Sequence, residues 1–293
     1  MSTPYIGSGP YCYANSLAMS LGADAAPSAS VIEVLTGSPF GMSMADPSQP
    51  FFDPDGWTPE IGLDAAIELL GWTCTTVTGE PAADRLRRAG PLLVGPVSME
   101  HLAHLPDAGD LVGADHFLVV LGVDGDVVRF HDPQGFPFAT LPVGNFLDAW
   151  RAESVGYPHE PFTMRTEFHK VRDVPIRDAL TNSLPNAKNW LTRGNSAAAA
   201  HQLAEAIEMG LNEELRAHLV QFAIKVGAHR LVDAATCLGG AGHPGVAEVL
   251  GRQAVIVGAL QYPVLVDDRP RAAALLRKLA DGYSELMKAL SDS

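Results

Sequence analysis

Residues 117–123 read Phe-Leu-Val-Val-Leu-Gly-Val, residues 127–131 read Val-Val-Arg-Phe-His, and Asp124-Gly125-Asp126 stands between them. Two β-rich runs joined by Asp-Gly give the strongest short-range signal for a hairpin. A hairpin turning at 124–126 folds position 116 back beside positions 132–134, so Ala114-Asp115-His116 at the start of one strand meets Phe130-His131-Asp132-Pro133 at the end of the other. Parity adds a condition. A strict two-residue loop at Asp124-Gly125 opposes 116 with 133 and sends Asp132 to the other face; a three-residue loop or a bulge returns it to the face of His116.

The surrounding pattern is mixed. Thr58-Pro59-Glu60 begins a helix with a capping hydroxyl, Pro at the first helical position and an early acid, and Leu63, Ile67 and Leu70 form its apolar stripe up to Gly71. A strand over 73–77, a short helix over 82–89, a strand over 92–95 and a helix over 143–150 are expected to follow. Beyond about residue 175 the periodicity is almost wholly helical, over 196–209, 212–226, 229–238, 244–258 and 269–290, with Ser196 and Asn212 as expected N-caps. The expectation is an α+β domain at 1–170 and an all-α helical domain at 171–293.

Charge excludes some functions. The chain carries a formal net charge of −14. Residues 1–170 hold 7 Lys+Arg against 21 Asp+Glu, while residues 171–293 hold 13 of each. Such a front part repels phosphate, so a nucleic-acid binder is not expected; the acidity reads first as solubility, with a field that gathers cationic substrates as the sharper alternative. Apolar runs fall short of the roughly 18–20 residues of a membrane span. The N-terminus shows no export signal, and a cytoplasmic protein that does not engage membrane is expected.

Three cysteines, at 12, 74 and 237, form no C-x-x-C pair. Cys74 lies in a β-branched run and Cys237 near a helix end, both read as structural thiols. Cys12 is different. Ala14, Leu17, Ala18 and Leu21 have the spacing of a buried helix face, and Gly7-Ser8-Gly9-Pro10 cannot be helical, so Cys12 falls at a helix N-terminus, where unpaired N–H groups favour a thiolate. The catalytic candidates are Cys12 as nucleophile, His116 as base and Asp132 as the group that orients it.

Other motifs are weaker. His101-x-x-His104 is flanked by Met99, Leu102 and Leu105 with no Cys nearby, and reads as two solvated histidines rather than a zinc set. Gly239–Gly245 lacks the Lys-Ser/Thr of a phosphate loop and reads as an interhelix turn. No G-x-S-x-G occurs, and no cofactor or metal is expected. Segments 37–58 and 96–114, long and rich in Pro and Gly, are the expected walls of a substrate cleft.

Cys12, His116 and Asp132, in that order, resemble the papain-like cysteine enzymes. The Cys-initiated helix followed by the hairpin is similar to the bacterial branch that includes the leader peptidases of bacteriocin exporters. The closer resemblance is to the butirosin-biosynthesis acyltransferase family, through Cys12, Gly95-Pro96-Val97, Asp115-His116 and Asp132-Pro133-Gln134-Gly135. Members of that family often continue into a helical domain with a Gly-rich turn similar to Leu238-Gly239-Gly240-Ala241-Gly242.

This resemblance implies a papain-like first domain and an acyltransferase of specialised metabolism. Cys12 would take an acyl group from a thioester donor on an acyl carrier protein and pass it to a small amine acceptor, and the helical domain is where any homodimer contact is expected. A peptidase or amidase with the same triad, or a non-catalytic binding module, is the alternative. The exporter peptidases place a Gln before the Cys and a Gly after it; this chain has no Gln over 5–9 and Tyr13 after Cys12. The oxyanion donor is therefore left between the Cys12 N–H, Ser8 and Asn15.

Overall fold

The computed structural model describes residues 10–46, 49–88 and 91–293. In chain order its first elements are α1 (Cys12–Leu21), α2 (Ala29–Thr36), β1 (Ser43–Asp46), β2 (Gln49–Phe51), α3 (Pro59–Leu69), β3 (Trp72–Val77), α4 (Glu80–Arg85), β4 (Leu92–Ser98) and β5 (Asp115–Asp124). There follow β6 (Val127–Asp132), β7 (Phe136–Pro142), α5 (Val143–Arg151), β8 (Met164–Lys170), α6 (Ile176–Arg193), α7 (Ser196–Met209), α8 (Glu213–His218), α9 (Ile224–Ala241), α10 (Pro244–Ala259), α11 (Gln261–Leu265) and α12 (Arg269–Ser291). The chain is α+β, with a sheet region and a C-terminal helical region. No helix among the described residues is long and apolar enough to cross a membrane.

Two compact units divide the chain, and they do not follow the expected cut at 170/171. One comprises residues 1–29 and 71–173; the other comprises 30–70 and 174–293. Segment 30–70, expected in the first domain, therefore belongs with the helices. Its attachment has a chemical cause. Arg230 of α9 donates from Nε to Glu33 Oε1 (2.8 Å) and from Nη1 to Asp53 Oδ2 (2.8 Å), and its guanidinium lies over the Trp57 ring at 5.5 Å. Gly227, one turn earlier, lies against Phe52, where any Cβ would stand 2.5 Å from the Phe52 Cβ.

The redrawn units also redraw the charge. The sheet unit holds 8 Lys+Arg against 15 Asp+Glu and the helical unit 12 against 19, so each carries −7. The expected strongly acidic front domain does not exist as a structural unit, because seven of its acids lie in 30–70 with no Lys or Arg.

The sheet unit is built on six antiparallel strands in the order β3-β8-β4-β5-β6-β7. Leu118, Val120, Val128 and Phe130 join Phe146 and Trp150 of α5 in one buried cluster. β7 and β8 add two strands to those expected from the sequence. In β7, Pro137 and Pro142 mask the strand signal, and both are tolerated because β7 is an edge.

In the helical unit α8 passes through a π-helical turn (Leu219–Ala223) into α9, so the break expected between 226 and 229 is absent. Asn212 caps α8 by accepting from the Leu215 N–H at 2.8 Å. Ser196 is instead the first helical residue of α7, and its hydroxyl accepts from the Met42 N–H at 3.1 Å. Gly242, at φ 101°, ends α9 in the left-handed conformation, and His243 N–H returns to the Leu238 carbonyl at 2.9 Å, which makes the Gly-rich stretch a helix cap.

Candidate active site

Cys12 is the first residue of α1, and the first intrahelical bond is Asn15 N–H to the Tyr11 carbonyl at 2.9 Å. The Cys12 amide thus precedes the helix's own ladder and belongs to the end where the backbone dipoles present positive charge. α1 is fastened to β5 beside His116: Ser16 Oγ donates to the Phe117 carbonyl (3.1 Å), and the Tyr13 ring meets Phe117 edge-on at 6.1 Å. Phe117 in turn fills the space over Gly95, whose φ of 157° and missing side chain leave room where a Cβ would lie 2.3 Å from the ring. The Gly-Pro-Val segment therefore has a local role, letting β4 run beneath the ring that seats α1.

The hairpin resolves its parity by a bulge. Asp124 pairs with Val127 around a two-residue turn at Gly125-Asp126, and the register slips by one between Val120 and Gly122. Beyond the slip Val119 stands opposite His131, which sets His116 and Asp132 on one face. Their side chains meet: His116 Nε2 donates to Asp132 Oδ1 at 2.8 Å, and both are fully buried. Gln134 N–H donates to the same oxygen at 2.7 Å.

Because Nε2 serves the carboxylate, Nδ1 is the atom of His116 left for the thiol. The charge on Cys12 is the strongest influence raising the imidazole pKa, and a hydrogen bond with the Cys12 side chain adds to it. Burial opposes the imidazolium, but the Cys12 charge and the Asp132 charge and hydrogen bond outweigh it and push His116 from its ordinary 6.5 up to about 10. Burial likewise opposes the Asp132 carboxylate. The His116 charge and hydrogen bonds from His104, His116 and Gln134 overcome it and hold Asp132 well below the usual carboxylate range.

His104 is the residue that sequence reasoning misjudged. It is not solvated: its side chain is 9% exposed and its Nε2 lies 2.8 Å from Asp132 Oδ2. His101, its supposed partner, is half exposed. The signal was present in buried Leu102 and Leu105 on either side, which draw the loop inward.

Of the candidate oxyanion donors, Asn15 spends its amide on the Tyr11 carbonyl at 2.9 Å, and Ser8 lies outside the described residues. Segment 96–114 contributes His104, whereas 37–58 belongs to the helical unit. Cys74 and Cys237 are half-buried in β3 and α9; burial, with the charge of Asp233, pushes the Cys237 thiol up to about 11. No group of three or more His, Cys, Asp or Glu side chains is placed to hold a metal ion among the described residues.

Residues 191–291 match the family model described as the YobF C-terminal domain. That span lies wholly within the helical unit. The chain is also similar to an uncharacterized protein, YobF, of Bacillus subtilis (strain 168), at 32% identity over 166 residues that cover 52% of each chain. It thus spans about half the length of the curated relative it matches.

Proposed function

We propose that the chain is a papain-like cysteine enzyme of the cytoplasm that transfers an acyl group from a thioester to an amine. The observation that carries this reading is the three-part geometry of a cysteine opening a helix, a histidine whose Nδ1 faces it, and a buried carboxylate on that histidine's Nε2. The resemblance to the butirosin-biosynthesis acyltransferase family supplies the donor and acceptor classes, a carrier-bound acyl thioester and a small amine of specialised metabolism. The uncharacterized relative neither favours nor opposes it.

In the first half-reaction the Cys12 sulfur attacks the thioester carbonyl, the bond to the donor sulfur breaks, and the departing thiolate takes the proton of His116. Attack and departure both involve sulfur, so the exchange has little intrinsic bias. In the second, His116 accepts a proton from the incoming amine as nitrogen bonds to the acyl carbon, and Cys12 leaves as a thiolate. Asp132 holds the imidazole in orientation through both steps. With −7 on each unit, no unit-scale asymmetry steers a cationic acceptor to the sheet unit, and selection of the amine is assigned to short-range contacts. A carrier docking on the basic residues of α12 would have to displace existing pairs, since Arg269 binds Asp267 at 3.0 Å and Arg277 binds Glu208 at 2.7 Å.

The test is intact mass spectrometry of the protein incubated with simple acyl N-acetylcysteamine thioesters, then with amines. An acyl adduct mapped to Cys12 and discharged faster by amine than by water is the expected result. Discharge to water at every amine concentration makes the protein a hydrolase, and absence of any adduct removes the nucleophile.

A further inference from the structure

A catalytic carboxylate that orients one histidine commonly leaves its second oxygen to backbone or solvent. Here the second oxygen is occupied by another imidazole. Asp132 accepts three hydrogen bonds, from His116 Nε2 and Gln134 N–H on Oδ1 and from His104 Nε2 on Oδ2. A carboxylate only accepts, so Nε2 of His104 carries its proton. The ring is itself held, edge-on to Phe130 at 5.0 Å and to Phe136 at 5.3 Å. Its Nδ1 is buried with no hydrogen-bond partner among the described residues, so the one polar contact that justifies burying this side chain is the bond to Asp132.

We infer that His104 is a positioning residue that locks the Asp132 carboxylate against rotation and thereby sets the orientation of His116 toward Cys12. The inference rests on the reading of Cys12, His116 and Asp132 as a triad. The groups that act on His116 are Cys12 from α1 and Asp132 from β6; those that act on Asp132 are His116, His104 and the Gln134 N–H. Without the His104 bond the carboxylate is restrained on one oxygen only, and the imidazole it holds loses part of its charge partner.

The experiment compares the pH profile of Cys12 alkylation by iodoacetamide, together with kcat and KM for thioester discharge, in the native protein, His104→Phe and His104→Gln. Phe fills the slot between the two rings without a donor, while Gln places an N–H near the position of Nε2. His104→Phe should lower kcat about 10- to 100-fold with KM little changed, a loss of the size that small misplacements cause. Its alkaline limb should also move down from about 10. His104→Gln should restore most of both. Should the Phe variant not fold, His104→Asn, whose amide falls short of Asp132, replaces it and should remain slow where Gln is fast. Equal profiles and equal kcat in all variants, with Cys12 still reacting faster than Cys74 and Cys237, overturn the role of His104 alone. A native Cys12 no more reactive than the other two thiols overturns the triad.

Discussion

Among the described residues two clusters of buried charge stand out, one in each unit, and they differ in the group at their centre. In the helical unit Arg230 is gripped by Glu33 and Asp53, with Ser38 Oγ donating to Glu33 at 2.6 Å and the Phe52 carbonyl accepting from Arg230 at 3.4 Å. The guanidinium keeps its proton at any ordinary pH, so this cluster is a fixed clamp on segment 30–70. In the sheet unit the centre is His116, whose imidazole is acted on by Cys12 and Asp132, with His104 on the far oxygen of Asp132. A cluster centred on a guanidinium that stays charged holds structure, even though burial, against the pull of Arg230, raises the Asp53 carboxyl. A cluster centred on a buried histidine between a thiol and a carboxylate is the kind that acid-base chemistry uses.

That contrast is broken first at the triad, where the effects are largest. Cys12→Ala should abolish acyl-adduct formation outright, measured by intact mass. Asp132→Asn should leave the fold intact by circular dichroism and slow turnover roughly 10²- to 10⁴-fold, since an amide no longer fixes the His116 tautomer. Asp115→Asn is the matched control. Its carboxylate binds the Tyr157 hydroxyl at 2.9 Å rather than His116, and its loss should be mild.

The clamp should respond in stability instead. Arg230→Ala leaves two buried carboxylates without their cation and should cost about 3–5 kcal/mol in denaturant unfolding of the protein. Replacing Arg230, Glu33 and Asp53 together by Met, Leu and Leu should recover most of that loss. If the single variant is as stable as the native protein, the cluster is not a clamp. A smaller effect is expected at Gly95→Ala, whose methyl group would press on Phe117; about 1–3 kcal/mol is the usual cost of such overpacking.

A pH dependence separates the clusters further. His116 is raised from 6.5 to about 10, so its contribution to stability is fully present below about pH 6.5 and is lost as pH rises through about 10. Unfolding free energy followed over that window should fall in the native protein and fall less in Cys12→Ser, where the charge that most favours the imidazolium is gone.

The meeting of His116 with Asp132 and the place of Cys12 at the start of α1 were legible because each residue sits where local rules are strong. Cys12 follows Gly and Pro and opens a four-residue apolar stripe, and Asp124-Gly125 fixes which residues meet across the hairpin. Even the need for an irregularity followed from parity, although its place at Leu121 did not. His104 escaped because it lies in a loop, where no periodicity reports burial and the carboxylate it binds is 28 residues away. Segment 30–70 escaped for a related reason: Glu33 and Asp53 read as ordinary surface acids until Arg230, 197 and 177 residues further on, is placed beside them. β8 carries a weak period-two pattern in Met164, Thr166 and Phe168, broken up by intervening Arg165, Glu167 and His169, and no strand was expected there. Long-range pairing of charges is what the sequence alone does not display.

The central claim is that Cys12 and His116 form a charged pair oriented by Asp132. Histidine NMR titration of the native protein and of Cys12→Ser tests it without any substrate. The account predicts that one histidine, removed by His116→Gln, titrates near 10 in the native protein and at a clearly lower pH once the thiol is replaced. A His116 that titrates near 6.5 in both proteins would contradict it.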